Sequence, residues 1–181
     1  IEDAAGSGPA DGAITLNVTP VNDPPTATNL TDTVTYTEGD GSVALTDIVV
    51  SDVDTGETIT ATLTLANTVT GSLTATSGNG ETYTAGTGVW TVSGTLAAVN
   101  AALAAVAFVP GTDNDLDTTI TTHIEDAAGS GPADGTITLD VTPVNDPPTA
   151  TNLTDTVTYT EGDASADLMA IVVTDVDTGA P

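Results

Sequence analysis

Residues 1–58 of this 181-residue chain are repeated at residues 124–181, at a constant offset of 123. In this window 48 of the 58 positions are identical. Self-similarity at a fixed period constrains the architecture more strongly than any local pattern does. We therefore interpret the chain as part of a tandem array. It holds the end of one unit (1–21), a complete unit (22–145) and the start of the next (146–181).

The two copies of the segment Thr-Pro-Val-Asn-Asp-Pro-Pro-Thr-Ala-Thr, at 19–28 and 142–151, mark the boundaries between units. Each copy lies between stretches in which apolar and polar residues alternate, such as Ile137, Leu139 and Val141 before the second copy. Its prolines lack a backbone N–H and hold φ near −65°. The segment is therefore predicted to be a stiff, extended linker between domains.

Alternation with a period of two residues runs through most of the complete unit and predicts half-buried β-strands. Turn signals rich in glycine and aspartate separate the stretches, as in residues 3–12, 77–80 and 126–134. An all-β Greek-key sandwich of the immunoglobulin-like kind is the expected fold. The predicted strands are Ala13–Thr19, Thr26–Thr37, Val43–Val50, Thr58–Ala66, Thr70–Thr76, Val89–Ser93, Leu116–Glu125 and Thr136–Val144.

One stretch departs from this alternation. Leu96, Val99, Leu103 and Val106 recur at intervals of three and four residues, and Thr95 stands where a helix N-cap is expected. We predict one short helix per repeat, at about 95–104, that covers an open end of the sandwich.

The charge balance of the chain is one-sided, with 26 acidic residues and no lysine or arginine. Nothing in the sequence could neutralise a nucleic-acid backbone or an anionic membrane surface, so we expect neither as a partner. Cations are the natural partners. High net charge and few aromatic residues are also typical of disorder, but 39% hydrophobic residues in regular alternation favour a folded domain.

The acidic residues are concentrated in the loops that connect the predicted strands. Loops at the same end of a sandwich share a junction, and converging carboxylate and amide oxygens are the ligands that Ca²⁺ prefers. A solvated turn is the simpler interpretation of any single Asp-x-Asp. We expect one group at the leading junction (Asn22, Asp23, Asp52, Asp54, Glu57, Asp126, Asp134) and one at the trailing junction (Glu38, Asp40, Asp113, Asp115, Asp117, Asn145, Asp146, Asp175, Asp177).

The order of these motifs is informative: Glu38-Gly follows a strand, Asp52-Val-Asp54 follows the next, Glu125-Asp126 precedes a glycine-rich turn, and Asn145-Asp146-Pro precedes a new repeat. This series resembles the cadherin-like repeats of large bacterial surface adhesins, of the RTX-adhesin extender type.

The resemblance implies an immunoglobulin/cadherin-like sandwich in tandem, with Ca²⁺ bound at the linkers. The ligand roles that it implies fall on Asn22, Asp23, Glu38, Asp52, Asp54, Asp126, Asn145, Asp146, Glu161, Asp175 and Asp177, and more loosely on Asp113 and Asp115. In the family's fuller linker, Asp-x-Asn-Asp-Asn, two ligands stand where this chain has Pro143 and Pro147. Fewer than three ions per junction are therefore expected.

The expected function is that of a calcium-rigidified structural spacer in a giant secreted adhesin or filament at the bacterial surface, supporting cell adhesion or biofilm formation. The expected partners are neighbouring repeats or identical chains, while glycans or cell-surface targets would be bound through other domains. The alternative is a calcium-dependent carbohydrate- or cell-binding module, which would need exposed aromatic residues.

An enzyme, such as a glycosidase with two carboxylates, is not expected, because a chain with no cysteine, no lysine and one histidine has a narrow catalytic repertoire. We interpret His123 as an exposed strand residue and Trp90 as a core residue.

Overall fold

The computed structural model describes residues 1–2, 4–8 and 12–177. It contains thirteen strands and one helix in this range. The elements are β1 (Thr26–Thr28), β2 (Asp32–Thr37), β3 (Val43–Ala44), β4 (Val49–Ser51), β5 (Ile59–Leu65), β6 (Gly71–Leu73), β7 (Thr82–Thr84), β8 (Val89–Gly94), α1 (Leu96–Leu103), β9 (Ala107–Pro110), β10 (Thr118–Glu125), β11 (Gly135–Thr142), β12 (Thr149–Thr151) and β13 (Val172–Thr174).

The strands of residues 26–142 form a six-stranded sheet, a three-stranded sheet and a short ribbon. The six-stranded sheet has the order β2-β11-β10-β5-β8-β7, and the three-stranded sheet has the order β3-β9-β6. Strands β1 and β4 pair as the ribbon. All pairs are antiparallel except β2 with β11, in which Asp32 lies opposite Ile137 and Thr37 opposite Thr142.

One hydrophobic core joins the two sheets into a sandwich. In β5 the apolar positions from Ile59 to Leu65 are at most 1% exposed, while the threonines between them are half-buried. Trp90 and Phe108 are fully buried, and the Trp90 Nε1–H donates to the Thr74 carbonyl over 2.9 Å. The all-β fold and the core position of Trp90 are thus confirmed.

The helix is confirmed, with α1 close to the predicted bounds. The Thr95 hydroxyl accepts a hydrogen bond from the Ala98 N–H, as expected of an N-cap. The buried face of the helix consists of Val99, Ala102 and Leu103, and the helix packs against β4, β5 and β8.

Two predicted strands are each divided into two shorter ones. The first divides at Asn29, which has φ of 59°, and its side-chain amide donates to the Asp47 carbonyl over 2.8 Å. Asparagine tolerates this left-handed conformation better than most residues. As a result β1 pairs with β4, while β2 joins the large sheet beside β11. The second, Val43–Val50, divides into β3 and β4.

Two further details of the strand prediction were wrong. The expected strand Thr70–Thr76 shortens to β6, and β7 was not predicted. Strand β7 pairs at the edge of the large sheet and is only three residues long. An alternating stretch of this length is too short to recognise in the sequence.

The predicted strand Ala13–Thr19 does not form. Its repeat counterpart is β11, in which Ile137 and Leu139 are fully buried, whereas the equivalent Ile14 and Leu16 are 99% and 83% exposed. In the complete unit β11 lies between β2 and β10. Residues 12–19 have no such neighbours in the described structure, and an isolated strand is not stable in water.

The segment that follows the second linker folds only in part. Strands β12 and β13 repeat the pairing of β1 and β4 in the same register, and Asn152 repeats the left-handed conformation of Asn29 with φ of 60°. Residues 155–160 are identical in sequence to β2 but form no strand. Strand β2 depends on β11 as its partner, whereas the ribbon depends only on local pairing.

Some expectations fall outside the described residues. The predicted turn of residues 3–12 includes residue 3 and residues 9–11, and the predicted third unit includes residues 178–181. Within the described ranges, no helix has both the length and the apolar character needed to cross a membrane.

Candidate metal sites at the two junctions

The leading junction joins the first linker to two loops of the complete unit. The Asn22 side-chain amide donates to the Asp126 carboxylate over 2.9 Å, and the Asp23 N–H donates to the Asp54 carboxylate over 2.7 Å. The Asp52 carboxylate in turn accepts from the Asp54 N–H over 2.9 Å. These five residues are predicted ligands, and the structure brings them to one end of the sandwich.

Asp126 is the buried carboxylate of this group, with 4% of its surface exposed. It follows β10 directly, and its carboxylate accepts from the N–H groups of Ala128 and Ser130 over 2.8 and 2.9 Å. The Asn22 amide, together with these backbone donors, holds the pKa of Asp126 below its ordinary value. Asp126 is therefore ionised in the fold, as a cation ligand must be.

Glu57 adds a further carboxylate to the same end. Burial, and then the charges of Asp54, Asp52 and Asp126, raise the pKa of Glu57. One carboxylate oxygen of Asp52 and one of Glu57 are buried without a hydrogen-bond partner. A buried carboxylate oxygen with no donor is unfavourable unless it is paired or coordinates a metal, so these two oxygens are available to a cation.

At the trailing junction, three carboxylates from three segments meet. One oxygen each from Glu38, Asp146 and Asp177 lie within 4.8 Å of one another. The Glu38 carboxylate accepts from the Val144 N–H over 2.8 Å, and the Asp177 carboxylate accepts from the Asp146 N–H over the same distance. The second Glu38 oxygen is buried without a partner. In the described part of the chain, no other three acidic or histidine side chains converge this closely.

The two junctions share the same local construction. The bond from Asp23 N–H to Asp54 recurs from Asp146 N–H to Asp177, at 2.7 and 2.8 Å. The bond from Asp54 N–H to Asp52 recurs from Asp177 N–H to Asp175, at 2.9 and 3.2 Å. In both copies, the second aspartate of the Asp-Val-Asp segment thus accepts a hydrogen bond from a backbone N–H of the linker.

Other predicted ligands lie outside these groups. Asn145, the counterpart of Asn22, is exposed and makes no side-chain hydrogen bond among those described, and Glu161 lies in an exposed turn. Asp113 has φ of 52° in the loop before β10. Neither Asp113 nor Asp115 belongs to the converging group at the trailing junction. As ligands, these four residues stay predictions.

Three other acidic residues make hydrogen bonds or ion pairs within the complete unit. The Asp40 carboxylate accepts from the Thr37 N–H and the Asp117 carboxylate accepts from the Val141 N–H, over 2.8 and 2.9 Å. Asp134, predicted at the leading junction, pairs with His123 Nδ1 at 2.6 Å, while Glu125 lies 3.5 Å from the other ring nitrogen. His123 is a strand residue, as predicted, with a 44% exposed side chain. Asp134 raises the pKa of His123.

The trailing group fits a hard cation of the calcium type. Calcium takes six to eight oxygen ligands at 2.3–2.6 Å in irregular geometry, so two of its ligands lie at most about 5 Å apart. The three oxygens at the trailing junction satisfy this limit. The unpartnered oxygens of Glu38, Asp52 and Glu57 supply unused ligand capacity. With no lysine or arginine in the chain, no side chain other than His123 could carry the compensating charge.

Asn100, in the middle of α1, borders the leading group and was not predicted from the sequence. Its amide bonds the backbone of β4, the strand that leads into Asp52. An asparagine inside an alanine-rich helix, where its propensity is poor, was the available signal.

No family model matches this chain, and no curated protein matches it in sequence. Among solved structures, the fold is similar to part of the human desmocollin-1 ectodomain, with 12% sequence identity and a TM-score of 0.38. The alignment covers 72% of this chain and 23% of that ectodomain.

Proposed function

We propose that this chain is a structural spacer in which Ca²⁺ at each linker fixes one β-sandwich repeat relative to the next. The observation that carries the proposal is the trailing junction. There Glu38 belongs to the complete unit, Asp146 to the linker and Asp177 to the following segment. An ion held by all three would therefore connect two consecutive repeats.

The repeat itself supports this proposal. A spacer needs many stiff copies rather than copies with distinct binding surfaces. Between successive copies of this repeat, 48 of 58 positions are identical. The linker adds stiffness of its own, because Pro147 and Pro148 restrict φ and cannot join a sheet. Residues 143–148 take part in no strand.

Exposed apolar residues outside the complete unit support neighbouring repeats, or identical chains, as the partners. Tyr159 and Ile171 are 74% and 59% exposed, whereas their counterparts Tyr36 and Ile48 are 5% and 3% exposed. A neighbouring repeat that packed against Tyr159 and Ile171 would bury them as Tyr36 and Ile48 are buried. We place such an array at a bacterial surface, as part of a secreted adhesin that supports cell adhesion or biofilm formation.

The alternative, a carbohydrate-binding module, lacks a specific surface among the described residues. Such a face needs exposed aromatic rings, but Trp90 and Phe108 are fully buried and Tyr36 packs edge-on against Phe108 with ring centroids 5.6 Å apart. The exposed Tyr159 occupies a position that is buried in the complete unit.

Calcium titration of the metal-free chain, followed by calorimetry and by ¹H–¹⁵N NMR, tests the proposal. We expect saturable binding with amide shifts at Asp23, Asp54, Asp146 and Asp177. Asp146→Asn should weaken binding at the trailing junction. Asp140→Asn removes the same charge from an exposed position of β11 and serves as the control. Equal losses in both variants, or no saturable binding in the unmodified chain, would reject the proposal.

A further inference from the structure

A single side chain of helix α1 forms two hydrogen bonds with the edge of β4. The Asn100 Oδ1 accepts from the Val50 N–H over 2.8 Å, and the Asn100 Nδ2 donates to the Val50 carbonyl over 2.9 Å. Both polar groups of one strand residue are thus bonded by one amide. Val50 itself is 2% exposed, so these bonds are formed at a buried position.

Asn100 takes the place that a neighbouring strand would occupy. The other edge of β4 is paired with β1, with Val50 opposite Ala27. In a strand the N–H and carbonyl of one residue point to the same side, so without Asn100 those of Val50 would be buried and unpaired. The helix that carries Asn100 is fixed in the core by Val99 and Leu103, which are 0% and 3% exposed.

The strand held in this way leads directly into the carboxylates of the leading junction. Asp52 lies two residues after Val50, and its carboxylate orients Asp54 through the Asp54 N–H. A cavity of about 260 Å³ lies between this loop and the start of the helix, lined by Asp52, Asp54, Glu57, Leu96 and Ala97 among others. Helix α1 therefore borders both the strand and the loop.

The second copy of the loop provides a comparison inside the same chain. Val173 of β13, the counterpart of Val50, is 63% exposed. In the described part of the chain, no side-chain amide bonds the Val173 backbone. The Asp175–Asp177 pair has the local hydrogen bonds of its counterpart.

From these contacts we infer that Asn100 is a positioning residue for the leading junction, because it fixes the loop of residues 52–57 to the core of its own repeat. Asn100 orders this loop with or without metal. The consequence of this order for calcium affinity rests on the proposed function.

Hydrogen exchange of backbone amides in the metal-free, full-length chain tests the inference. In Asn100→Ala, exchange at residues 50–56 should become about tenfold faster, as expected for a local opening that two lost hydrogen bonds favour. Amides of β10 and of residues 172–177 should keep their rates. Ala101→Ser, an exposed position of the same helix, is the control and should change neither region.

Two outcomes would overturn the inference: unchanged exchange at residues 50–56, or an equal acceleration throughout β10, which would indicate general destabilisation. Asn100→Asp provides a second variant if Asn100→Ala does not fold. It keeps an acceptor for the Val50 N–H and loses the donor to the Val50 carbonyl. A carboxylate oxygen then replaces Nδ2 and repels the Val50 carbonyl, so an acceleration at least as large as in Asn100→Ala, confined to the same loop, is expected. Unchanged exchange in Asn100→Asp would contradict the assignment.

Calcium titration of Asn100→Ala separates this inference from the proposed function. If both hold, the midpoint observed at Asp23 and Asp54 rises several-fold, while the midpoint at Asp146 and Asp177 does not move. If the unmodified chain binds no calcium, the proposed function fails, and the exchange rates still decide the role of Asn100.

Discussion

The side-chain amide of Asn22 donates a hydrogen bond to the buried carboxylate of Asp126, which lies 104 residues further along the chain, over 2.9 Å. This bond ties the linker that precedes the repeat to the loop between its last two strands. The orientation of the linker is therefore set by the sandwich even before a cation is considered.

Asn22→Ala should raise the pKa of Asp126 toward its ordinary value, because the Asn22 amide is the main cause of its lowering. A ¹³C NMR titration of the aspartate carboxyl groups measures this shift. Asn145→Ala, at the equivalent position whose side chain makes no hydrogen bond among those described, is the control and should leave every carboxyl titration unchanged. An Asp126 titration that does not move in Asn22→Ala would show that the bond is not formed in solution.

Ile137→Ala should lower the free energy of unfolding by about 2–5 kcal/mol, the range for deleting a fully buried aliphatic side chain. Ile14→Ala changes the same repeat position where it is 99% exposed, and should alter the free energy by less than about 0.5 kcal/mol. Urea unfolding followed by the fluorescence of Trp90, the single tryptophan, compares the two. Equal effects would contradict the assignment of β11 to the second copy.

His123 should make the stability of the fold depend on pH. Because Asp134 raises the pKa of His123 above its ordinary 6.5, the charged ring stabilises the folded state. This contribution is fully present below about pH 6.5 and is lost as the pH rises through the raised pKa.

The ion pair is exposed, so His123→Gln should cost only about 0.2–1 kcal/mol at low pH and nothing from this source at high pH. Urea unfolding across this pH range measures the difference. Asp134→Asn should remove most of the pH dependence. If the difference in unfolding free energy between wild type and His123→Gln increased with pH, the proposed role of His123 would be contradicted.

Much of the fold could be predicted because its signals are local. In β5 and β10, threonine and aliphatic residues alternate, which indicates a strand. The three- and four-residue spacing that starts at Leu96 indicates a helix. The grouping of Asn22, Asp23, Asp54 and Asp126 followed from strand order, because loops at one end of a sandwich must meet.

The errors concern features that depend on tertiary partners. Residues 13–19 have the pattern of a strand and nearly the sequence of β11, but no strand forms without β2 and β10 beside them. The division of the first strand depends on the left-handed Asn29 and its bond to the Asp47 carbonyl. The contact between Asn100 and Val50 joins residues 50 positions apart, so no local period could reveal it.

Calcium at the junctions is proposed to make consecutive repeats stiff. Small-angle X-ray scattering from a chain of three consecutive 123-residue units, titrated with calcium between about 10⁻⁴ and 10⁻³ M, measures this stiffening. We predict that the maximum dimension increases to that of an extended rod, and that a chelator reverses the change. A scattering profile that is the same with calcium and with chelator would contradict the claim and would leave the junction carboxylates as solvated surface groups.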